Sequence, residues 1–226
     1  MVTNRLRCSA AGVVLLLAAT AAHAAGDAVA GKAKTMICQA CHGPDGNSPP
    51  NPSWNNITTE DLSRPSGNQS KLIASPIWPK LAGQHAAYLV KQLSDLKAGR
   101  RKDPIMSGMV GGLSQTDIED IAAYFSSQKA KPGGTAAEQQ AMTHGETLYR
   151  TGRPAAKIPA CAGCHGPDAH GTPTLPRLAG QHVIYIQKQL WFFKLGKRGS
   201  DLMQPIAEQL TAQDIKALSQ YLTTRE

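Results

Sequence analysis

Hydrophobic residues recur at helical spacing in the segments that follow residue 80. Leu89, Leu93 and Leu96 lie three or four residues apart, which places them on one face of a helix. The polar residues between them then face the solvent, as in a surface helix of a globular protein. The spacing predicts an amphipathic helix from about His85 to Gly99.

A second amphipathic helix is predicted after Ser114. Ser114 and Asp117 precede an apolar stripe, and this is the pattern of a helix N-cap with a carboxylate three residues on. The stripe has the spacing i, i+3, i+4, i+7 and consists of Ile118, Ile121, Ala122 and Phe125. The preceding segment 103–112 contains Pro and Gly and has no periodicity, so it is predicted to be a loop.

Each half of the chain is also predicted to begin with a helix. In the first half this helix covers Asp27 to Cys38, with Gly31 at a close helix contact and Met36 and Ile37 on the buried side. In the second half it covers 136–150 and contains Gly145. With no alternating, strand-like segments, the pattern predicts an all-α fold.

The second half of the chain repeats the first. Trp78 to His85 and Leu175 to His182 share the pattern Pro-x-Leu-Ala-Gly-Gln-His at an offset of 97 residues, which persists to the C-terminus without a gap. The repeat predicts two tandem domains, 25–131 and 132–226, each a small helical bundle. The first domain has 26 extra residues in the polar loop 47–77.

Two runs of the form C-x-x-C-H carry the candidate chemistry. They are Cys38-Gln-Ala-Cys41-His42 and Cys161-Ala-Gly-Cys164-His165. Residues i and i+3 share one face of a helical turn, so both thiols can form thioethers with one porphyrin. The histidine that follows is placed to bind the iron. The sequence predicts two covalently bound haem c groups, one in each domain.

Zinc knuckles and thioredoxin-like redox sites also use C-x-x-C pairs. A zinc knuckle does not require histidine directly after the second cysteine in both copies. A thioredoxin-like pair lies in an α/β chain, which the pattern here does not predict. Both alternatives are therefore disfavoured.

A haem iron held by one histidine needs a sixth ligand, and the offset of 97 leaves two candidate pairs. Met106 and Met203 each lie eight residues before a helix cap, in loops that can fold over the far face of a haem. His85 and His182 begin a helix, where we expect them to cap it or to touch the haem edge. The methionine pair is favoured, and ligation by two histidines is the alternative.

The first 24 residues have the pattern of a secretory signal peptide. Arg5 and Arg7 precede an apolar run over 10–22, and the small-x-small site Ala22-His23-Ala24 follows it. The run is too short to span a bilayer. We expect cleavage after Ala24 and no transmembrane helix in the mature protein. We also expect a periplasmic location, because c-type haem is attached outside the cytoplasm.

The formal net charge is +8 at pH 7. The longest basic cluster is Arg100-Arg101-Lys102, and no aromatic residues are interleaved with it. This pattern is typical of a solvated surface and disfavours nucleic acid as a partner. A loose association with a membrane surface is compatible with the charge.

Together these features resemble a class I cytochrome c domain: a helix, C-x-x-C-H, Pro-x-Leu-x-Gly, a methionine and a C-terminal amphipathic helix. Two copies in tandem, each with Leu-Ala-Gly-Gln-His, are similar to the dihaem cytochrome c4 family over nearly the whole chain after the signal. In that family the proline carbonyl accepts the imidazole N–H. The resemblance implies that Pro79 orients His42 and that Pro176 orients His165.

Filled His/Met coordination leaves no position for a substrate, so we expect an electron carrier without turnover of its own. The resemblance implies redox partners such as a membrane cytochrome complex and a terminal oxidase. One alternative is a cytochrome subunit of a periplasmic dehydrogenase. A dihaem peroxidase and a haem-based ligand sensor are weaker alternatives, because both need an iron that opens to a ligand.

Overall fold

The protein is described by a computed structural model that covers residues 26–50, 77–134 and 139–226. The predicted signal peptide, most of the polar loop 47–77 and the start of segment 136–150 lie outside the described residues. The first domain contains α1 (Ala28–Lys34), α2 (Met36–His42), α3 (Ala86–Lys97), α4 (Met106–Val110) and α5 (Gln115–Ser126).

The second domain has the same order of elements. It contains α6 (Gln139–Thr151), a 3-10 turn (Pro154–Ala156), α7 (Ala162–His165), α8 (Val183–Lys194), α9 (Met203–Gln209) and α10 (Ala212–Thr223). The described residues form no β-strand, and the prediction of an all-α fold is confirmed.

The predicted repeat is visible in the helices. α3 and α8 each have 12 residues and start 97 positions apart, and the same is true of α5 and α10. Both α5 and α10 begin with a capping box. Ser114 Oγ accepts the backbone N–H of Asp117 at 3.1 Å, and Thr211 Oγ1 accepts that of Asp214 at 3.1 Å. The sequence therefore predicted the cap of α5 correctly.

In each domain the first and last helices cross at a glycine. α1 packs against α5, and α6 packs against α10. A Cβ added at Gly31 would lie 2.0 Å from the carbonyl oxygen of Asp120, and one at Gly145 would lie 2.2 Å from that of Ala217. Only glycine allows this approach, so the predicted close contact at Gly31 is confirmed.

Each domain has its own apolar core beneath this crossing. The core of the first domain includes Leu89, Ile121, Ala122, Tyr124 and Phe125. The core of the second domain is larger and includes Leu148, Tyr149, Ile158, Trp191, Ile215 and Tyr221. Ile77, at the end of the polar loop of the first domain, is buried within this second core. The two domains are therefore connected by apolar contacts as well as by the polypeptide chain.

Two sequence-based expectations about the first domain are wrong. The helix predicted from Asp27 to Cys38 breaks at Thr35, whose hydroxyl donates to the carbonyl of Lys32 at 2.8 Å. After this break Met36 and Ile37 face outward, with exposed fractions of 80% and 61%, instead of packing inside. The break reorients α2, so that its last residue, His42, is the buried one.

The segment 103–112 is also not a simple loop, because it contains α4. Asp103 Oδ1 accepts the backbone N–H groups of Ile105 at 3.1 Å and of Met106 at 2.9 Å. These bonds satisfy free donors at the start of the helix and stabilise a turn that hydrophobic spacing alone does not reveal.

Candidate haem-binding sites

The cysteines of both C-x-x-C-H runs lie on short helices. Cys38 and Cys41 lie within α2, while Cys161 is at the N-cap of α7 and Cys164 lies within it. All four are free thiols. Burial raises the pKa of Cys38 and raises that of Cys161 to about 11. Pairs of free thiols on one helical turn are what double thioether attachment of a porphyrin requires.

The residue that follows each C-x-x-C-H run is a glycine in the left-handed backbone region. Gly43 has φ 79° and Gly166 has φ 78°, values that favour glycine because a Cβ would be strained there. A core tyrosine fixes the turn that follows. Tyr124 donates its hydroxyl to the carbonyl of Pro44 at 2.7 Å, and Tyr149 donates to that of Gly166 at 2.6 Å. The chain direction after each histidine is therefore held from the core.

His42 is buried, with 4% of its surface exposed. Its Nδ1 lies 2.8 Å from the carbonyl oxygen of Pro79. Since a carbonyl only accepts, Nδ1 carries the proton and Nε2 carries the lone pair. Among the described residues Nε2 of His42 is buried without a hydrogen-bond partner. Buried polar atoms are rarely left unpaired, so this nitrogen fits the role of an iron ligand.

His165 has the same environment in the second domain. It is 7% exposed, and its Nδ1 lies 3.1 Å from the carbonyl oxygen of Pro176. Burial lowers the pKa of both His42 and His165, against the opposing effect of the proline carbonyls. Both rings are therefore neutral at pH 7, as metal ligation requires.

Met106 and Met203 open the helices α4 and α9 with half-buried side chains. Hydrogen bonds fix their backbones, from Met106 N–H to Asp103 Oδ1 at 2.9 Å and from Met203 N–H to Ser200 Oγ at 3.1 Å. The charge of Asp103 also acts on His42 and raises its pKa against the dominant effect of burial.

His85 and His182 occupy N-cap positions of α3 and α8, but neither side chain caps its helix. Each reaches into the other domain instead. Nε2 of His85 lies 2.7 Å from the carbonyl oxygen of His170, and Nε2 of His182 lies 2.9 Å from that of Ser48. The expectation of capping side chains is therefore wrong, because acceptors across the domain boundary hold both imidazoles.

Two arginines also cross the boundary, and one of them, Arg101, belongs to the basic cluster that the sequence pattern assigned to a solvated surface. Arg198 Nη2 donates to the hydroxyl of Tyr88 at 2.9 Å, and Arg101 Nη2 donates to that of Tyr185 at 3.2 Å. Burial raises the pKa of Tyr185, but the charges of Arg101 and Arg198 outweigh it and the net shift is downward. The arginines are themselves 97 residues apart, so the repeat contained the signal that would have found them.

The sequence matches two protein-family models. Residues 26–129 match the model described as Cytochrome c, and residues 140–222 match the model described as Cytochrome C oxidase, cbb3-type, subunit III. The matched ranges correspond to the two structural repeats. Each contains one C-x-x-C-H run, one Pro-x-Leu-Ala-Gly-Gln-His segment and one of the methionine pair.

Similar proteins cover nearly the whole chain. Cytochrome c4 of Azotobacter vinelandii is 44% identical and covers 89% of this chain and 90% of its own. The crystal structure of reduced recombinant cytochrome c4 from Pseudomonas stutzeri has a TM-score of 0.74 at 41% identity, covering 89% of this chain and all of its own. The thiosulfate dehydrogenase electron acceptor of Thiomonas intermedia is 37% identical over 66% of this chain and 70% of its own.

The similarity to these proteins in sequence and in structure therefore agrees with the presence of one candidate haem-binding site in each domain. Two similar helical domains each present two thiols and a buried imidazole whose Nδ1 is bonded to a proline carbonyl. The chain belongs to the cytochrome c4 family of electron-transfer proteins, with two covalently bound haem c groups.

Proposed function

We propose that the protein is a periplasmic carrier that passes electrons between redox proteins and catalyses no reaction of its own. Thioethers from Cys38 and Cys41 would hold one haem, and thioethers from Cys161 and Cys164 the other. Haem supplies one-electron chemistry at its iron when it is bound. The chain supplies the axial ligands, their orientation and the surrounding low dielectric.

The observation that carries this proposal is the state of His42. Its Nδ1 is bonded to the carbonyl of Pro79, and its buried Nε2 has no partner among the described residues. The carbonyl fixes the tautomer and the plane of the ring, so the lone pair on Nε2 points in one direction. The bond from His165 to Pro176 supports the same assignment in the second domain.

The sixth ligands that the structure supports best are Met106 and Met203. They hold equivalent positions at the starts of α4 and α9. The rival pair, His85 and His182, is engaged with carbonyl oxygens across the domain boundary. Ligation by these histidines would break those bonds, which favours methionine. A thioether sulfur stabilises ferrous iron and raises the potential.

Filled axial positions argue for electron transfer without substrate binding. If histidine and methionine both bind the iron, no position would remain for peroxide or another ligand. The ligands lie on helices anchored to the cores, so little rearrangement is expected when the oxidation state changes. This rigidity favours fast electron transfer and disfavours a peroxidase or a ligand sensor.

The location and partners are inferred from similarity and from the N-terminal pattern. A signal peptide over 1–24 would export the chain to the periplasm. No helix in the described ranges 26–50, 77–134 and 139–226 is long and apolar enough to cross a membrane. We expect a membrane cytochrome complex and a terminal oxidase as partners. The similarity to a thiosulfate dehydrogenase electron acceptor favours a second candidate function, in which the protein is the cytochrome subunit that accepts electrons from a periplasmic dehydrogenase.

The axial assignment is tested by Met203→Ala, with Met109→Ala as the matched control. Met109 is 39% exposed and corresponds to Ile206, which cannot ligate, so its removal should leave both haems unchanged. Met203→Ala should keep the haem attached, lower the potential of the second haem and allow imidazole or carbon monoxide to bind there. Absorption spectra and a redox titration measure both effects. A Met203→Ala protein with the parent spectrum would remove Met203 from the site.

The choice between free carrier and enzyme subunit is tested by purification from the native cell. A free carrier elutes alone and accepts electrons from several donors in stopped-flow mixing. A stable subunit co-purifies with a dehydrogenase in fixed ratio, and this result would replace the proposal with the second candidate.

A further inference from the structure

A pair of glutamines ties the two domains together in a reciprocal way. Gln181, in the second domain, accepts the N–H of Lys80 at 2.9 Å and donates to the carbonyl of Lys80 at 3.0 Å. Gln84, in the first domain, accepts the N–H of Arg177 at 2.8 Å and donates to the carbonyl of Arg177 at 2.9 Å. Each side-chain amide thus pairs with the backbone of the opposite domain, as a neighbouring strand would.

The backbone that each glutamine recognises is the one that holds the opposite histidine. The N–H of Lys80 and the C=O of Pro79 belong to one peptide group. That C=O accepts a hydrogen bond from Nδ1–H of His42, with 2.8 Å between nitrogen and oxygen. The N–H of the same peptide group donates to the side-chain oxygen of Gln181. A continuous chain of hydrogen bonds therefore runs from His42 through one peptide to the other domain.

The mirror-image chain is present in the second domain. His165 Nδ1 bonds to the carbonyl of Pro176 at 3.1 Å, and the next N–H, that of Arg177, donates to Gln84 at 2.8 Å. The proline residues and the glutamines are each 97 positions apart. The same device thus occurs twice, in opposite directions across one interface.

The glutamine amides have no freedom to flip. The oxygen of Gln181 accepts the N–H of Lys80 and also that of His182 at 3.0 Å, while its nitrogen faces a carbonyl. The oxygen of Gln84 likewise accepts from His85 at 3.1 Å. Both glutamines are buried, with exposed fractions of 8% and 7%. A flipped amide would place its NH2 group against two backbone N–H donors and its oxygen against a carbonyl.

We propose that Gln181 is a positioning residue for His42, and Gln84 for His165, so that each domain strengthens the axial histidine bond of the other. A hydrogen bond accepted from a peptide N–H polarises that peptide and makes its carbonyl a better acceptor. A stronger acceptor on Nδ1 gives the imidazole more anionic character and makes Nε2 a better donor to iron. A better donor stabilises ferric iron, so docking of the domains lowers the potential of both haems.

This inference rests on the proposed axial role of His42 and His165, and it gives each domain an influence on the axial histidine of the other. A change in the strength of one histidine bond alters the peptide that the other domain's glutamine contacts. Loosening of the interface, for instance on contact with a redox partner, would raise both potentials together.

The test is a redox titration of the intact dihaem protein carrying Gln181→Leu or Gln84→Leu, with each haem followed by its own hyperfine-shifted NMR signals. We expect Gln181→Leu to raise the potential of the first haem and leave the second unchanged. Gln84→Leu should do the reverse. A shift of the haem in the same domain as the mutated residue, or an equal shift of both haems, would overturn the proposal.

Tyr88→Phe is the matched control, because it removes the hydrogen bond from Arg198 at the same interface without touching either proline peptide. It should not selectively shift the haem of the opposite domain. If Gln181→Leu does not fold, Gln181→Asn shortens the side chain while keeping the amide, and it should give the same selective rise in a smaller measure. A Gln181→Asn protein with both parent potentials would count against the proposal.

Two measurements separate this inference from the axial assignment. Hydrogen exchange of the Lys80 amide should quicken in Gln181→Leu, and the Nδ1 proton of His42 should move upfield in the reduced protein as its bond weakens. If parent spectra show histidine on both irons but these signals do not move, the glutamine proposal fails alone. If parent spectra show no histidine ligation, the axial assignment fails first.

Discussion

Asp214 offers a quantitative test of how the second domain is stabilised. Its side chain is 1% exposed, and it bonds to Arg153 at 2.7 and 3.2 Å and to His144 at 2.9 Å. Burial alone would raise its pKa, but Arg153 and Thr211 outweigh burial and lower the pKa from 3.8 to about 2. Each pKa unit corresponds to about 1.4 kcal/mol, so the ionised form contributes about 2 kcal/mol to the free energy of unfolding.

The sign of the pH dependence follows from the lowered pKa. The unfolded chain binds a proton on Asp214 at a higher pH than the folded chain does. The stabilisation is therefore complete above about pH 5 and is lost as the pH falls through 3.8 towards 2. Asp214→Asn should lower the free energy of unfolding by about 2 kcal/mol at pH 7 and by much less near pH 2.5.

Urea unfolding of the intact dihaem protein, followed by circular dichroism at several pH values, measures this difference. Asp117→Asn is the matched control, because Asp117 holds the equivalent position of the first domain and begins α5 in the same way. Its side chain is 31% exposed and pairs with Lys34 at 2.8 Å, so solvent screens the pair and a smaller loss is expected. Equal losses in the two variants, or a loss for Asp214→Asn that does not change with pH, would refute the reasoning.

Two further predictions concern packing and attachment. Gly145→Ala should lower the free energy of unfolding by about 1 to 3 kcal/mol in the same urea assay, because the new methyl group meets the backbone of Ala217, which cannot rotate away. Thr147→Ala, on the exposed side of the same helix, is the control and should be neutral, so equal losses would contradict the packing argument. Cys161→Ala should reduce or abolish haem attachment in the second domain only, and mass spectrometry of separated proteolytic fragments checks this. Loss of both haems together would show that the domains do not mature independently.

Local patterns in the sequence predicted much of each site. The capping box at Ser114 and the close contact at Gly31 are both present in the structure. These features depend on neighbours within a turn of helix or on an intrinsic property of glycine. The orientation of Met36 and Ile37 was predicted incorrectly, because a break at Thr35 separates two helices where the apolar residues suggested one.

The contacts at the domain interface could not be predicted from the sequence. The repeat identified Gln84 and Gln181 as equivalent positions, and it paired His85 with His182, but equivalence does not tell which domain a side chain enters. A glutamine at the start of a helix can face solvent, its own domain or another. The docking geometry of two bundles decides this, and no periodicity within one chain segment encodes it.

By itself, the sequence determined that two similar helical domains would each carry a C-x-x-C-H turn, a proline four residues before a glycine, and a candidate methionine ligand. These features follow from spacing along the chain, which fixes which residues share a helical face. Only the tertiary structure decided that the glutamines cross between the domains, that the histidines after them do the same, and that Asp214 is buried while Asp117 is not. Such differences depend on which surfaces meet, and that is set by packing over distances far longer than a helical turn.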